Sequence, residues 1–149
     1  SAWILDSCFW ATRRVLPDML QRQWGRIINV SSVEGSQASK KNVPHYITFK
    51  HAMNGFTKAA AFEYGDQGIT VNAISPGAVE TDLMMAQGPA AAESMGLTYE
   101  AFKDGYAQES AIKRLNTVDE VAGLALFLVG EQAGGITGAI LPVDGGTGL

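Results

Sequence analysis

The sequence contains a single cysteine, Cys8, and its basic residues are scattered rather than clustered. One cysteine allows neither an internal disulfide nor a metal site of paired cysteines, and it suits the reducing cytoplasm. A formal net charge of −4 without a basic patch argues against nucleic-acid binding. The longest apolar runs, such as LALFLV at 124–129, are far too short to span a bilayer. We therefore expect a cytoplasmic protein without a metal site, whose partners are small molecules or other proteins.

The sequence does contain an alternation of helical and strand patterns. Apolar side chains recur at helical spacing in residues 2–22 and 45–65. Another helix is indicated by TVDEVAGLALFLVG, where Thr117 is placed to cap the first turn and Glu120 to return the hydrogen bond. The segment 80–112 has weaker patterns, from which we predict one or two short helices around a loop.

Three short runs rich in β-branched residues predict strands near 26–31, 69–74 and 139–143. These runs are apolar throughout and are separated by helices, which is typical of parallel strands with helices packed on both faces of the sheet. The fold class is therefore α/β. Ligands bind such sheets at the carboxyl ends of the strands, where this sequence has SSVEG, SPGAVET and DGG. We expect the functional site at that edge.

Two chemically distinctive side chains, Tyr46 and Lys50, lie near the start of the helix predicted at 45–65. Because they are four residues apart, they share one helix face. A phenol is a poor base at neutral pH, but a neighbouring ammonium favours the phenolate, so the pair is suited to proton transfer. A serine hydroxyl from SSVEG could hold a substrate carbonyl or alcohol oxygen within reach of the phenol. The alternative is an amphipathic surface helix, since this spacing also occurs by chance.

Four segments in series, GRIINVSSVEG, YITFK, ITVNAISPGAVET and ITGAILPVDGG, resemble the short-chain dehydrogenase/reductase family over nearly the whole chain. The resemblance implies a Rossmann-like parallel sheet, of which about three strands are present, and hydride transfer between a nicotinamide cofactor and a secondary alcohol or ketone. It implies that Ser32 is the catalytic serine, with Ser31 as the alternative. It also implies that Tyr46 is the general acid and base, and that Lys50 favours its phenolate and contacts the nicotinamide ribose.

The resemblance extends to a loop that in the family lies against the nicotinamide, with the pattern P-G-x-x-x-T. Cofactor contacts are thereby implied for Tyr46, Lys50, Pro76, Gly77, Val79 and Thr81. An ordinary turn would use the same residue types as this loop. The implied cofactor is NAD or NADP, and the sequence leaves the choice open because the residues that meet the adenine ribose belong to a segment it lacks.

Two features of the family are missing from this sequence. Members are longer and begin with a strand and a glycine-rich turn that binds the pyrophosphate. We therefore predict that residues 1–149 are the C-terminal catalytic and substrate part of a single Rossmann-like domain, too incomplete to bind the cofactor tightly or to be active alone. Family members also usually carry a catalytic asparagine on the helix before GRIIN, where this chain has Ile4. Isoleucine cannot relay a proton, which puts that part of the family's relay in question.

Other polar and sulfur-containing residues are interpreted as structural. We expect Cys8 to be a small buried group, since no histidine stands near it in the sequence. His45 and His51 should project to other helix faces than Tyr46. Glu34 and Asp144 are interpreted as solvated loop ends. The segment that covers the substrate in the family contains Met84, Met85 and Met95, which suit either an apolar pocket or the core.

The first two predicted helices carry more apolar surface than a monomer would readily cover. The residues concerned are Trp3, Phe9, Trp10, Met53 and Phe56. In the family these helices form a four-helix bundle with a second subunit, so we expect a homo-oligomer, either a dimer or a tetramer.

Two functions from different classes remain. The first is an NAD(P)-dependent oxidoreductase of which this chain is the catalytic part. The second is a truncated, non-catalytic remnant that acts as an oligomerising or interaction subunit. The serine, tyrosine and lysine set favours the first, whereas the absent glycine-rich segment favours the second.

Overall fold

The computed structural model describes residues 2–149, so Ser1 of the predicted 1–149 unit lies outside the described residues. The helices are α1 (Ala2–Arg22), α2 (Pro44–Tyr64), α3 (Asp82–Ser94), α4 (Tyr99–Gln108) and α5 (Val118–Val129). The strands are β1 (Gly25–Val30), β2 (Ile69–Pro76) and β3 (Ile140–Val143). The described residues contain no helix long and apolar enough to cross a membrane.

The three strands form one parallel sheet, as the sequence predicts, and their order in the sheet is β1-β2-β3. β1 and β2 pair along their length, with Gly25 opposite Ile69 and Val30 opposite Ile74. β3 pairs only with the second half of β2, starting with Ile140 opposite Ala73. The central strand is buried over its first seven residues, and most of their side chains are apolar. Its buried Asn72 donates to Ile136 O and accepts from the amide of Ala139.

Helices cover both faces of the sheet, which confirms the predicted α/β architecture. On one face, α1 and α2 pack against Ile27 and Val71 through side chains that include Leu16 and Phe56. On the other face, Leu128 of α5 packs against Ile74. Side chains alternate between the two faces of a strand, so odd-numbered residues of β1 and β2 meet α1 and α2, and even-numbered ones face α5.

Threonine caps begin the three helices that follow β2. Thr81 and Thr98 accept hydrogen bonds from the backbone amides of Met84 and Ala101, and these helices fill the segment that the sequence left irregular. Thr117 and Glu120 form the predicted reciprocal capping pair at the start of α5. Hydrogen bonds from the Arg114 guanidinium, followed by the backbone amide of Thr117, lower the pKa of Glu120 to about 2.

The loop after β1 is held closely against α2. Asn54 of α2 donates a hydrogen bond to the carbonyl oxygen of Gly35 at 2.9 Å. A β-carbon at Gly35 would lie 2.6 Å from Ser31 Oγ and 3.0 Å from the backbone oxygen of Lys50. This position therefore requires glycine, because a side chain would push the loop away from the helix that it orients.

We predict that Gly35→Ala lowers the free energy of unfolding by about 1–3 kcal/mol, the usual cost of overpacking a close contact. Chemical denaturation of the purified complete polypeptide measures this change. Gly105→Ala is the matched control, because Gly105 lies within α4 and a β-carbon there would meet no atom within 4 Å. Alanine should stabilise that helix by up to about 1 kcal/mol. Equal effects of the two substitutions would contradict the close packing at Gly35.

Candidate active site

The loops that follow the three strands are joined by hydrogen bonds at one edge of the sheet. Ser75 Oγ, near the end of β2, donates to the carbonyl oxygen of Ser32 at 3.1 Å. The amide of Gly77 donates to Val143 O at 3.1 Å, linking the loop after β2 to β3. A β-carbon at Gly77 would come within 2.9 Å of the Asp144 α-carbon, so these two loops touch through their backbones. The carboxyl ends of the strands thus present one continuous surface.

Tyr46 and Lys50 lie on the first two turns of α2 and share a face, beside this surface. Lys50 Nζ is 5.6 Å from the centroid of the Tyr46 ring. The ammonium also donates to the carbonyl oxygen of Val30 at 2.7 Å, which fixes it at the end of β1. Burial lowers the pKa of Lys50 below its ordinary value, against an opposing contribution from Cys8. The two side chains are half-buried, so both are held in place and both remain accessible.

The two adjacent serines have different surroundings in the structure. Ser32 lines a cavity of about 120 Å³, and its Oγ accepts a hydrogen bond from the Glu34 amide at 3.2 Å. Ser31 points inward, towards Gly35 and Asn54. Within the described part of the chain, its buried Oγ has no hydrogen-bond partner. Ser32 is therefore the serine with access to a ligand.

An apolar cavity of about 530 Å³ lies beside Tyr46. Its walls come from the loop after β2 and from α3 and α4, and they include Val79, Thr81, Met84, Phe102 and Tyr106. Met84 thus lines a pocket, one of the two alternatives left open for the methionines, while Met85 and Met95 are exposed. This cavity and the one that Ser32 lines share Ala78 and Tyr106. We refer to these two adjoining cavities together as the recess; Tyr46 lines the larger one and Ser32 the smaller one.

The residues of the loop after β2 have distinct structural positions. Pro76 ends β2, and Gly77 follows it. Val79 forms an isolated parallel bridge with Asn116, which anchors the middle of the loop. Thr81 both caps α3 and lines the apolar cavity. The loop is thus more ordered than an ordinary turn, and it lies on the same cavity as Tyr46.

Glu34 differs from its predicted role as a solvated loop end. It is 4 % exposed, and its two carboxylate oxygens accept hydrogen bonds from the backbone amide and the hydroxyl of Ser39. The prediction was wrong because the loop folds back on itself and encloses the carboxylate. Asp144 is half-buried, and its Oδ1 accepts from the amide of Gly146 at 2.9 Å.

Cys8 is buried, as predicted, and it belongs to a hydrogen-bonded chain. Its Sγ donates to Asn29 Oδ1 at 3.0 Å, and Asn29 donates to Thr57 Oγ1 at 2.9 Å. Burial raises the pKa of the Cys8 thiol to about 11, so it is unsuited to act as a nucleophile at neutral pH. His45 and His51 are exposed. Among the described residues, no cluster of His, Cys, Asp or Glu is arranged to hold a metal ion.

Sequence reasoning missed three contributors to this region. Phe102 and Tyr106 of α4 line the recess, and their own spacing did not distinguish them from core residues. Asn54, which holds the loop after β1, carries a usable signal: it lies eight residues after Tyr46 and four after Lys50, on the same helix face. In the structure this polar residue donates to the carbonyl oxygen of Gly35.

Known proteins resemble this chain over nearly all of its length. A family model described as enoyl-(acyl carrier protein) reductase matches residues 3–148. D-beta-hydroxybutyrate dehydrogenase of Rhizobium meliloti (strain 1021) is 40 % identical over 95 % of this chain and 55 % of that protein. Acetoacetyl-CoA reductase of Allochromatium vinosum is also 40 % identical, over 95 % of this chain and 53 % of that protein.

Solved structures agree with these relatives. A variant of actinorhodin polyketide ketoreductase with NADPH superposes with a TM-score of 0.88 at 35 % identity, covering 97 % of this chain and 56 % of that one. A 3-oxoacyl-[acyl-carrier protein] reductase from Brucella melitensis gives 0.82 at 31 % identity, with 98 % and 50 % covered. The chain spans about half the length of the curated relatives it matches. It belongs to the short-chain dehydrogenase/reductase family.

Proposed function

We propose that the complete polypeptide transfers a hydride between a nicotinamide cofactor and a ketone or secondary alcohol, and that this chain supplies the acid-base residues and the substrate cavity. The observation that carries the proposal is the half-buried pair of Tyr46 and Lys50, with Lys50 Nζ 5.6 Å from the phenol ring, beside an apolar cavity at the strand ends. The names of the relatives support it, since they describe a dehydrogenase of a hydroxy acid and reductases of ketoacyl compounds.

In reduction, the Tyr46 phenol would give its proton to the carbonyl oxygen, and with the hydride that a bound cofactor would supply to the carbonyl carbon, the products would be a neutral alcohol and a phenolate. The Lys50 ammonium stabilises this phenolate through its positive charge. The hydrogen bond from Lys50 to Val30 O restrains the ammonium at the end of β1, close to the phenol. Oxidation of the alcohol runs the same steps in reverse, with Tyr46 as the base.

Ser32 is proposed as the residue that hydrogen-bonds the reacting oxygen and stabilises the charge that builds on it. Ser32 is preferred to Ser31 for this role because Ser32 lines the recess and Ser31 does not. The hydrogen bond from Ser75 to the Ser32 carbonyl and the contact of Asn54 with the following loop hold this serine in position. Neither supporting residue needs to touch the substrate.

NAD or NADP is the proposed cofactor, and when bound it supplies or accepts the hydride. The donors available here fit its nicotinamide end, since an ammonium and a phenol suit ribose hydroxyls and the loop after β2 offers backbone groups beside them. The proposed contacts are Tyr46, Lys50, Pro76, Gly77, Val79 and Thr81. Four of them, Tyr46, Gly77, Val79 and Thr81, line the recess, and Lys50 lies over the Tyr46 ring, which supports this assignment.

We further propose that residues 1–149 form the catalytic and substrate part of one larger Rossmann-like domain, and that the protein is a cytoplasmic homo-oligomer. Support for self-association comes from α1 and α2, which pack side by side with the Phe9 and Phe56 rings 6.0 Å apart. Trp3, Trp10 and Phe62 on these helices are strongly exposed. A surface of this kind is typical of an interface between subunits.

Tyr46→Phe should lower kcat by several orders of magnitude in the complete polypeptide, because only the oxygen that transfers the proton is lost. The steady-state rate of ketone reduction measures the effect, and circular dichroism checks folding. Tyr64→Phe is the matched control, since Tyr64 lies on the same helix and packs against the core away from the strand ends. Normal turnover by Tyr46→Phe would refute the assigned role.

The assignment of the serine is tested by comparing Ser32→Ala with Ser31→Ala. We expect Ser32→Ala to lower kcat about 100-fold or more, the usual effect of removing a donor to a developing oxyanion. Ser31→Ala should change kcat by less than about fivefold and leave the protein folded, because it removes a buried hydroxyl that has no partner among the described residues. The opposite order of effects would assign the role to Ser31.

A further inference from the structure

The charge distribution around the recess is uneven. Among the described residues that line the cavity beside Tyr46, none is charged. The smaller part of the recess, which contains Ser32, is lined by three charged side chains: Glu34, Lys40 and Glu109. The region around the serine therefore decides which charges a substrate can carry near its reacting oxygen.

Glu34 is fixed close to Ser32. Its backbone amide donates to Ser32 Oγ, and its carboxylate is held by the amide of Ser39 at 3.0 Å and by the Ser39 hydroxyl. These partners are neutral, and no ion pair within the described residues includes Glu34. The negative charge of this buried carboxylate is consequently fixed in place and not neutralised by a cation.

The cations near the recess are already engaged. Lys40 forms an ion pair with Glu109, with Nζ and Oε1 2.5 Å apart, and it also lies over the Tyr106 ring. Lys50 donates to Val30 O and stands over the Tyr46 ring. Lys40 and Glu109 compensate each other, so Glu34 carries the one charge without an ion-pair partner among the described residues that line the cavity around Ser32. The positive charge of Lys50 lies beside Tyr46, at the end of β1, and Lys50 does not line that cavity.

We infer that Glu34 is a specificity-determining residue that selects neutral ketones with an apolar body and rejects substrates carrying a carboxylate next to the reacting carbonyl. A second carboxylate brought beside a buried one is repelled, and low solvent access strengthens the repulsion. This inference rests on the proposed function. It separates the chain from its relative named D-beta-hydroxybutyrate dehydrogenase, because hydroxybutyrate carries a carboxylate.

A matched pair of ketones tests the inference on the complete polypeptide with its cofactor. Acetoacetate and its methyl ester react at the same ketone and differ in charge and in one methyl group, so the comparison with Glu34→Gln isolates the effect of the charge. We expect wild-type kcat/KM for the ester to exceed that for acetoacetate about tenfold or more, by the size of a like-charge repulsion at close range. Glu34→Gln keeps the size of the side chain and removes its charge, so it should raise kcat/KM for acetoacetate about tenfold and change the ester value less than threefold.

Glu93→Gln is the control. Glu93 is exposed near the end of α3, so this substitution also removes one negative charge but does so away from the recess. It should leave the ratio of the two substrates unchanged. A wild-type preference for acetoacetate, or an unchanged ratio in Glu34→Gln, would overturn the inference. If Glu34→Gln does not fold, a wild-type preference for acetoacetate overturns the inference by itself.

A binding measurement separates failure of this inference from failure of the proposed function. Dissociation constants of the same two compounds can be measured by ligand-observed NMR without turnover. Weaker binding of acetoacetate that Glu34→Gln relieves would support the charge selection even if neither compound were reduced, and that result would count against the oxidoreductase proposal alone. Equal binding of both compounds by both proteins would overturn the inference.

Discussion

Parallel pairing of the buried strand β2 with strands on both sides is the constraint on which the rest of the structure depends. Ile69, Val71 and Ile74 are almost completely buried, so β2 can exist only as the centre of a sheet covered on both faces. Parallel pairing directs the carboxyl ends of all three strands to the same edge. Every residue proposed for chemistry lies at that edge, either in a loop after a strand or on the first turns of α2, which the loop after β1 leads into.

The polar groups at this edge are positioned by contacts that involve backbone atoms. The Val30 carbonyl fixes the Lys50 ammonium, and the Ser32 carbonyl accepts from Ser75. Asn54 ties the Gly35 carbonyl to α2. Because these partners belong to strands, loops and a helix that the core already fixes, the proposed acid-base groups are held without long flexible connections. Preorganisation of this kind is what proton transfer and oxyanion stabilisation require.

Much of the fold follows from local sequence patterns, whereas the walls of the recess depend on contacts between distant segments. The apolar strands and the capping pair of Thr117 and Glu120 can be read locally, since the responsible interactions lie within one element. The burial of Glu34 could not be predicted in this way, because it depends on how the loop after β1 folds back to Ser39. Tyr106 of α4 and Tyr46 of α2 line the same cavity although they are 60 residues apart in the sequence, and no local spacing indicates that they do.

The central claim is that the hydrogen added to the substrate carbon comes as a hydride from a nicotinamide, while the proton added to the oxygen passes through this chain. Reduction of a prochiral ketone by the complete polypeptide with NADH or NADPH deuterated at the transferring position of C4 tests it directly. Mass spectrometry of the alcohol should show one deuterium on the carbinol carbon when ordinary water is the solvent. An alcohol without deuterium from either cofactor labelled at either C4 position would contradict the account.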